Sequence, residues 1–313
     1  MDTSALRVVT KVVRAVPPAT LRGSLASVPR LPPGPGARAS VELLDAIHRF
    51  APEVRLHPDD RYRPSSVPWY LQNVRMRRHR AWWPDVRILD VGEVNVNTLI
   101  AQRSGGQSSG QGADRTNFFL EIAANTTETR RGRLAIAECY VHFRRAPGTS
   151  TAWDLQYWFF YPYNGDITTG ADFEHEGDFE HVTVRIGRDL RSVQEVFYHV
   201  HNTESTWRRP GEFSSTSEGH PIVYSARHTH ATYWSAGKQA RTALPDDHTA
   251  DGGPVWQTWD HLRLVGHRRR PTAGQEWIRY TGHWGQIGTG FSWLGGPYGP
   301  AFQGYWLDDD SGG

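Results

Sequence analysis

Short runs of alternating or continuous apolar residues dominate the chain after residue 50, and these runs indicate β-strands. Clusters of Gly, Ser, Asp and Pro separate the runs, as expected for turns. The pattern therefore predicts a mainly β fold, a single antiparallel β-sandwich with long loops, in preference to a βαβ fold. The predicted strands are Val54–His57, Val86–Val96, Asn117–Ala123, Leu134–Arg144, Leu155–Tyr163, Glu180–Ile186, Val193–His201, Ile222–Ser225 and His261–Val265.

A short N-terminal helix precedes the strands in this prediction. Apolar positions recur at helical spacing between Leu43 and Phe50, with Ser40 as the predicted N-cap and Pro52 as the residue that ends the helix. Further upstream, residues 5–16 form another amphipathic pattern with a basic face. Such a pattern is typical of a segment that docks on a membrane or a partner, of a targeting peptide, or of a disordered leader.

The distribution of charged residues, like the hydrophobic pattern, separates an N-terminal segment from the rest of the chain. Residues 1–40 hold six basic side chains and one acidic side chain, a net charge of +5, whereas the remainder, with 29 basic and 32 acidic residues, carries −3. Pro and Gly dominate residues 29–38, as in a linker. We therefore expect a basic leader and linker over residues 1–39 and one folded domain over residues 40–313.

No apolar run approaches the roughly 20 residues that a membrane-spanning helix needs, and the first residues lack the apolar centre of a secretory signal. The default expectation is therefore a cytoplasmic protein. Peripheral membrane association or targeting through the basic N-terminal segment is the alternative.

The amino-acid composition excludes several classes of fold, metal site and partner. The 13 Trp, 12 Tyr and 12 Phe residues supply ample apolar surface for a core, so a disordered chain is excluded. Cys139 is the single cysteine, which excludes disulfide scaffolds and cysteine-rich zinc sites, and we expect it to be a buried small side chain. The net charge of +2 argues against a nucleic-acid partner, and basic clusters such as Arg75–Arg80 are expected to be solvated surface.

The segment His175-Glu-Gly-Asp-Phe-Glu-His181 carries the most chemical information. On a strand, Asp178 and Glu180 share the face of the aliphatic residues that follow them, while Phe179 and His181 point to the other face. Two ionised carboxylates at the end of a buried face are costly unless something compensates them. A divalent cation, an arginine or protonation of one carboxyl would do so, and a structural polar cluster is equally compatible with the spacing.

Further residues could complete a cation site around His175, Asp178 and Glu180. Asp166 lies in the loop just ahead of this segment, and the run Val223–His230 places His228 and His230 on one predicted strand face. Because three of these candidate ligands are carboxylates, we expect Ca²⁺, Mg²⁺ or Mn²⁺ rather than Zn²⁺. If the protein is instead an enzyme, the candidate proton carriers beside the ion are His181, His201 and Glu176.

Several long segments resemble the vacuolar protein sorting-associated protein 62 family, whose plant members carry a domain of unknown function. The segments cover roughly residues 45–305 and occur in the family's order: Phe50–Leu71, Phe159–Gly165, His175–Arg185, Pro221–Trp234 and Gly282–Gly285. Phe179 stands where the family usually has tryptophan. The resemblance implies family membership but no demonstrated chemistry.

A weaker resemblance is to the necrosis-inducing cytolysin family, which has the heptapeptide Gly-His-Arg-His-Asp-Trp-Glu in a β-sandwich. That resemblance implies a divalent-cation site at His175, Asp178 and Glu180, with Asp166 similar to the upstream acidic ligand. A Ser-Ala-His segment of that family resembles Ser225–His228 with one inserted residue, so either His228 or His230 could match. The secretion signal and disulfide pair of those toxins have no counterpart in this sequence.

These observations lead to two expected functions. The first is a metal-containing β-sandwich that binds a membrane lipid headgroup or a glycan at a loop-lined cleft. The alternative is a metal-dependent enzyme of the hydrolase or lyase type that uses the same His, Asp and Glu residues.

Overall fold

The computed structural model describes residues 36–80, 83–101, 118–149, 151–165, 174–201, 205–241, 245–287 and 295–306. Four α-helices in these ranges, α1 to α4, span Gly36–Arg49, Val67–Gln72, Val96–Ala101 and Thr126–Arg131. The strands β1 to β17 span Glu53–Leu56, Val74–Arg78, Val86–Leu89, Phe118–Ile122, Cys139–Arg145, Ala152–Asn164, His175–Gly187, Val193–Tyr198, Thr206–Arg208, Ile222–Ser225, Thr232–Tyr233, Gly237–Gln239, Asp247–Thr249, Val255–Gln257, Leu262–Leu264, Gly266–His267 and Arg270–Pro271.

Two facing sheets form the predicted sandwich. The larger has the order β15-β5-β6-β7-β8-β9, and the smaller has the order β11-β10-β1-β14. Between them lies an inner core to which Val182 and Val184 of β7 and Val54 and Val223 of the smaller sheet contribute. The mainly β prediction is confirmed, and most strand pairs are antiparallel, although β1 pairs with β10 and β5 with β15 in parallel.

The larger sheet is also covered on its other face. There Trp158 and Phe160 of β6 pack with Trp277 and Trp284 in an outer, tryptophan-rich core. The three-stranded sheet β3-β2-β4 and helix α2 close this layer. Because both faces are buried, the sequence of β6 is continuously apolar from Tyr157 to Tyr163. Cys139 is buried in the inner core, as expected.

Several predicted element boundaries are wrong. Helix α1 begins at Gly36, so Ser40 lies inside it and is not the N-cap. The run Val86–Val96 stops as a strand at Leu89, because the Glu93 N–H bonds to the Asp90 carbonyl in a turn. The run from Leu134 to Arg144 starts as a 3₁₀ turn over Leu134–Ile136, and the strand begins only at Cys139.

The expectation of solvated surface is wrong for part of the basic run Arg75–Arg80. Arg75 and Arg77 belong to strand β2, where their guanidinium groups pair with the Glu121 carboxylate on β4. Other expectations, the amphipathic helix at residues 5–16 and the position of Asp166, lie outside the described residues. No helix in the described part of the chain is long and apolar enough to cross a membrane.

Candidate acidic and histidine site

In strand β7 the side chains alternate between the two faces of the sheet, as the sequence predicts. Asp178 and Glu180 lie on the inner face with Val182, whereas Phe179 packs in the outer core. Both carboxylates are buried, with 6% and 7% of the residue surface exposed. The acidic pair therefore lies at one end of the space between the two sheets.

A glycine just before Asp178 interrupts the alternation of side chains between the two faces of β7. Gly177 has a φ of +64°, and a Cβ atom there would lie 2.2 Å from the Trp284 carbonyl oxygen, so only glycine fits. The irregularity turns Glu176 away from Asp178. The Glu176 carboxylate accepts the Ile122 N–H at 2.9 Å, and burial raises its pKa to about 7. Glu176, a candidate proton carrier, therefore lies on the outer side of the sheet.

His230 connects Asp178 to a second acidic residue, Asp60. Its Nδ1 lies 3.0 Å from Asp178 Oδ2 and its Nε2 lies 3.5 Å from Asp60 Oδ2, while the ring stacks on Tyr161 at 3.8 Å between centroids. Asp60 is held in turn by the backbone N–H groups of Tyr62 and His228, each at 2.9 Å. The imidazole is therefore fixed between two buried carboxylates.

The two histidines of the predicted strand face do not lie on a strand. Strand β10 ends at Ser225, and His228 and His230 have φ values of +70° and +58° in the turn that follows. The turn gives the two imidazoles different surroundings. His230 contacts Asp178, whereas His228 Nδ1 lies 4.0 Å from Asp60. The strand-face prediction is wrong because positive φ values at His228 and His230, on either side of Thr229, turn the chain here.

Glu180 is paired with His199, whose Nδ1 lies 3.0 Å from Oε2. Burial raises the pKa of Glu180 well above its ordinary value, and the Asp178 carboxylate raises it further, whereas His201 and His230 oppose this shift. Within the described ranges no Arg or Lys forms an ion pair with Asp178 or Glu180. The arginine that could have compensated the pair is therefore not observed among these residues.

A third imidazole–carboxylate pair adjoins the first two. His201 Nε2 lies 2.8 Å from Asp247 Oδ2, and the hydroxyl groups of Thr229 and Tyr233 donate to the same carboxylate at 2.9 and 2.7 Å. Burial acts to raise the pKa of Asp247, but the hydrogen bonds from His201 and Tyr233 lower it below its ordinary value. His201 keeps 28% of its side chain exposed, so this pair faces outward.

The remaining predicted residues lie at different distances from this cluster. His175 Nδ1 bonds to the Gly177 carbonyl oxygen at 3.0 Å, which leaves Nε2 as the nitrogen with a free lone pair if Nδ1 carries the proton. His181 is fully buried on the outer face, where its ring stacks on Trp158 at 4.2 Å and also on His199 at 4.7 Å. His181 therefore lies away from Asp178.

Three members of the cluster were not singled out from the sequence: Asp60, His199 and Asp247. Asp247 belongs to a run of acidic residues that reads as a solvated turn, but it alternates with the exposed His248 and is only 3% exposed. That alternation was the sequence signal that could have identified Asp247 as a buried strand residue. Asp60 lies far from Asp178 in the sequence, so only tertiary structure brings them together.

The donor set combines two carboxylates, which hard divalent cations prefer, with imidazole nitrogens, which suit transition metals. The His230 and His199 Nε2 atoms are buried without a hydrogen-bond partner. In the described part of the chain no three His, Cys, Asp or Glu side chains form a complete metal-binding group. Any closing ligand would therefore have to come from a rearrangement, from a residue outside these ranges, or from solvent.

Two solved structures overlap most of this chain at low identity. One, a toxin fold for microbial attack and plant defense, is 14% identical, covers 88% of this chain and 93% of that chain, and has a TM-score of 0.38. The other, NLPPya in complex with glucosamine, is 12% identical, covers 85% and 87%, and has a TM-score of 0.36. TM-scores of this size carry no functional argument.

Two proteins of Saccharomyces cerevisiae are similar in sequence. Vacuolar protein sorting-associated protein 62 is 27% identical over 52% of this chain and 44% of its own length, so the match spans less than half of that relative. The vacuolar protein sorting-associated protein TDA6 is 26% identical over 84% of this chain and 67% of its own length. The family model described as vacuolar protein sorting-associated protein 62 matches residues 37–286, which confirms the resemblance drawn from the motifs. The chain therefore belongs to the vacuolar protein sorting-associated protein 62 family.

Proposed function

We propose that this protein binds a divalent cation at Asp178 and Glu180 and uses it to hold the polar group of a lipid headgroup or a glycan at this end of the sandwich. One observation carries the proposal: two adjacent inward carboxylates are buried with imidazoles as their hydrogen-bond partners and no Arg or Lys ion pair in the described part of the chain. Burying two such groups together is unfavourable unless a proton or a cation compensates them.

The choice between a proton and a cation depends on the neighbours. Each carboxylate receives one contact from an imidazole, His230 on Asp178 and His199 on Glu180, and each carboxylate keeps a second oxygen. A carboxylate with a spare oxygen can coordinate an ion while its first oxygen keeps that contact. The imidazoles would then orient the ligands, and His175 is the nearest further candidate along β7.

A bound cation supplies one or more open coordination positions for ligand oxygens. Phosphate, carboxylate and neighbouring sugar hydroxyls all provide such oxygens, which is why the proposal names headgroups and glycans together. Both ligand classes therefore belong in the first screen.

The test measures cation binding by the full-length chain. Titration calorimetry with Ca²⁺, Mg²⁺, Mn²⁺ and Zn²⁺ is repeated with Asp178→Asn and Glu180→Gln. The matched control is Glu176→Gln, which removes a buried carboxylate from the same strand but on the opposite side of the sheet. We expect binding in the wild-type chain and in the control, and loss in the other two variants.

The result that would overturn the cation site is an absence of binding in the wild-type chain, or equal binding in all variants. The ligand part is tested separately, with a glycan array and phosphoinositide or sphingolipid vesicles, each with cation or with EDTA. Ligand binding that ignores both EDTA and Asp178→Asn would place the ligand elsewhere on the protein.

A second candidate function is supported by the His201–Asp247 pair. A partly exposed imidazole oriented by a buried carboxylate is the arrangement of a general base, and Tyr233 and Thr229 fix that carboxylate. In that case, His201 would transfer a proton for a substrate bound at Asp178 and Glu180. Chromogenic ester and phosphodiester substrates test this function: turnover should be lost in His201→Asn and Asp178→Asn, and turnover retained in both would exclude it.

A further inference from the structure

The turn between β2 and β3 carries an exposed tryptophan. Trp83 keeps 68% of its surface exposed and is the one aromatic residue among the exposed large apolar side chains of the described residues. Singly exposed aliphatic residues such as Val255, at 50%, are ordinary on protein surfaces. An indole at the tip of a hairpin exposes far more apolar area, and it requires a different explanation.

Two exposed arginines precede this indole in the chain. Arg78 and Arg80 are exposed, and within the described residues neither forms an ion pair with a carboxylate. The Arg80 guanidinium lies 5.8 Å above the Trp83 ring. We call Arg78, Arg80 and Trp83 the hairpin tip.

The hairpin tip is held by the strands below it. Arg78 pairs with Val86 in the last register position of β2 and β3. The Asp85 carboxylate accepts the Arg80 N–H at 3.3 Å and lies 3.0 Å from His79 Nδ1, so the local acidic group is already engaged with the turn. The two arginines and the ring therefore lie where two paired strands end.

We propose that the hairpin tip binds the surface of a membrane that contains anionic lipids. Tryptophan concentrates at the membrane–water interface, where its ring lies among the headgroups and its N–H reaches water or lipid oxygen. Arginine beside it meets lipid phosphates, and each such cation near an anionic surface strengthens binding roughly fivefold. One ring with two cations matches this layer in both polarity and charge.

Other partners fit less well. A protein partner requires an anchor surrounded by a larger apolar area, and no other large apolar side chain on this hairpin is exposed among the described residues. A nucleic acid would follow the surface beyond the tip, but the chain after residue 40 carries a net charge of −3. A membrane touches only the projecting tip, so the acidic remainder can stay away from the lipid.

The inference is independent of the cation site, and the experiment keeps the two apart. The full-length chain is sedimented with vesicles of phosphatidylcholine alone and of phosphatidylcholine mixed with phosphatidylserine, in EDTA. The variants are Trp83→Ala and the double change Arg78→Ala with Arg80→Ala. The controls are Val255→Ser, which removes another exposed apolar group, and Arg269→Ala with Arg270→Ala, which removes two other exposed arginines.

We expect the wild-type chain to bind the anionic vesicles and not the neutral ones. The double arginine variant should weaken binding roughly 25-fold, Trp83→Ala should weaken it severalfold, and both controls should bind like the wild type. The basic residues before position 40 are present in every protein compared, so the differences report the hairpin alone.

Three outcomes would overturn the inference. One is a wild-type chain that does not bind anionic vesicles. Another is binding that is equal in folded tip variants and wild type, which would assign it to another segment such as residues 5–16. The third is a tip-dependent affinity for single-stranded RNA without any for vesicles, which would make the partner a nucleic acid. A melting curve for each variant confirms that it is folded.

Discussion

The two faces of the six-stranded sheet bury histidines beside different neighbours. On the inner face and at its end, the imidazoles of His199, His201 and His230 each lie within 3.0 Å of a carboxylate oxygen. On the outer face, the rings of His142 and His181 stack on tryptophans, at 3.9 Å from Trp306 and 4.2 Å from Trp158. The residue type is the same, but the environment differs.

The environment decides what each imidazole can do. Burial lowers the pKa of His142 to about 3 and that of His181 well below its ordinary value, so both rings are neutral at physiological pH. Burial also lowers the pKa of the inner His199, to about 4, so its ring can orient Glu180 only as a neutral imidazole. An imidazole beside a carboxylate can accept a proton or orient that carboxylate toward a ligand. The inner histidines are therefore the functional candidates, whereas the outer ones fill the tryptophan-rich core.

The largest expected effect concerns a polar row on the outer face. Asp154 is fully buried and pairs with Arg144 at 3.2 Å and with Arg185 at 2.7 Å. Asp154→Ala would remove the fully buried charge partner of Arg144 and Arg185, although Arg185 would keep its contact with Glu195, at a cost of about 3–5 kcal/mol in the free energy of unfolding. Urea denaturation with and without divalent cations measures this, and the loss should be the same in both. A loss below about 1 kcal/mol would contradict the view that outer polar groups are structural.

The same substitution on the two faces gives the sharpest comparison. His230→Phe removes the group between Asp178 and Asp60 and should lower the free energy of unfolding by about 2–3 kcal/mol, because a buried carboxylate loses its partner. His181→Phe should be within about 1 kcal/mol of neutral, because neither His181 nitrogen has a hydrogen-bond partner. Thermal melts of both variants check this, and equal losses would contradict the distinction.

Acid should destabilise the protein partly through His142. The folded-state pKa is about 3, below the ordinary value of 6.5, so between these values the unfolded chain binds the proton and the folded chain does not. This contribution is fully present above pH 6.5 and falls with the pH, by about 2 kcal/mol at pH 5. His142→Gln should remove that part of the pH dependence. Parallel slopes for variant and wild type between pH 7 and 5 would contradict it.

The smallest effect is an expected gain in stability. Glu180→Gln keeps an acceptor for His199 but removes one of two neighbouring buried acidic groups. In EDTA the free energy of unfolding should rise by about 1 kcal/mol, since the burial cost of the acid disappears. Added cation should then stabilise the wild type and not the variant. A clear loss of stability in EDTA would show that the acidic pair is structural.

Much of the site could be predicted from local sequence. Strand alternation places Asp178 and Glu180 together on the inner face, because their neighbours Val182 and Val184 must be buried. The family follows from long motifs in order. The same local logic fails at His230, whose positive φ removes it from the strand pattern, and at Asp60, whose contact depends on packing between distant segments.

The sequence also contains signals for the layer that covers the outer face of the larger sheet, although a search for strands alone does not use them. The continuous apolar run in β6 indicates burial on both faces, and therefore a layer on each side of the sheet. Ser66 followed by Pro68 marks a helix start, and helix α2 begins there with Ser66 as its N-cap. The arginines of β2 could not be assigned without Glu121, which is their partner on β4.

The close approach of two glycines has a consequence for how this family can vary. A Cβ atom at Gly177 would lie 2.2 Å from the Trp284 carbonyl oxygen, and one at Gly285 would lie 1.9 Å from the Glu176 carbonyl oxygen. Each glycine thus makes room for the other segment's backbone, so a substitution at either position forces the two segments apart. In evolution, the acidic strand and the late Gly-His-Trp-Gly motif are therefore expected to be inherited, altered or lost as one unit.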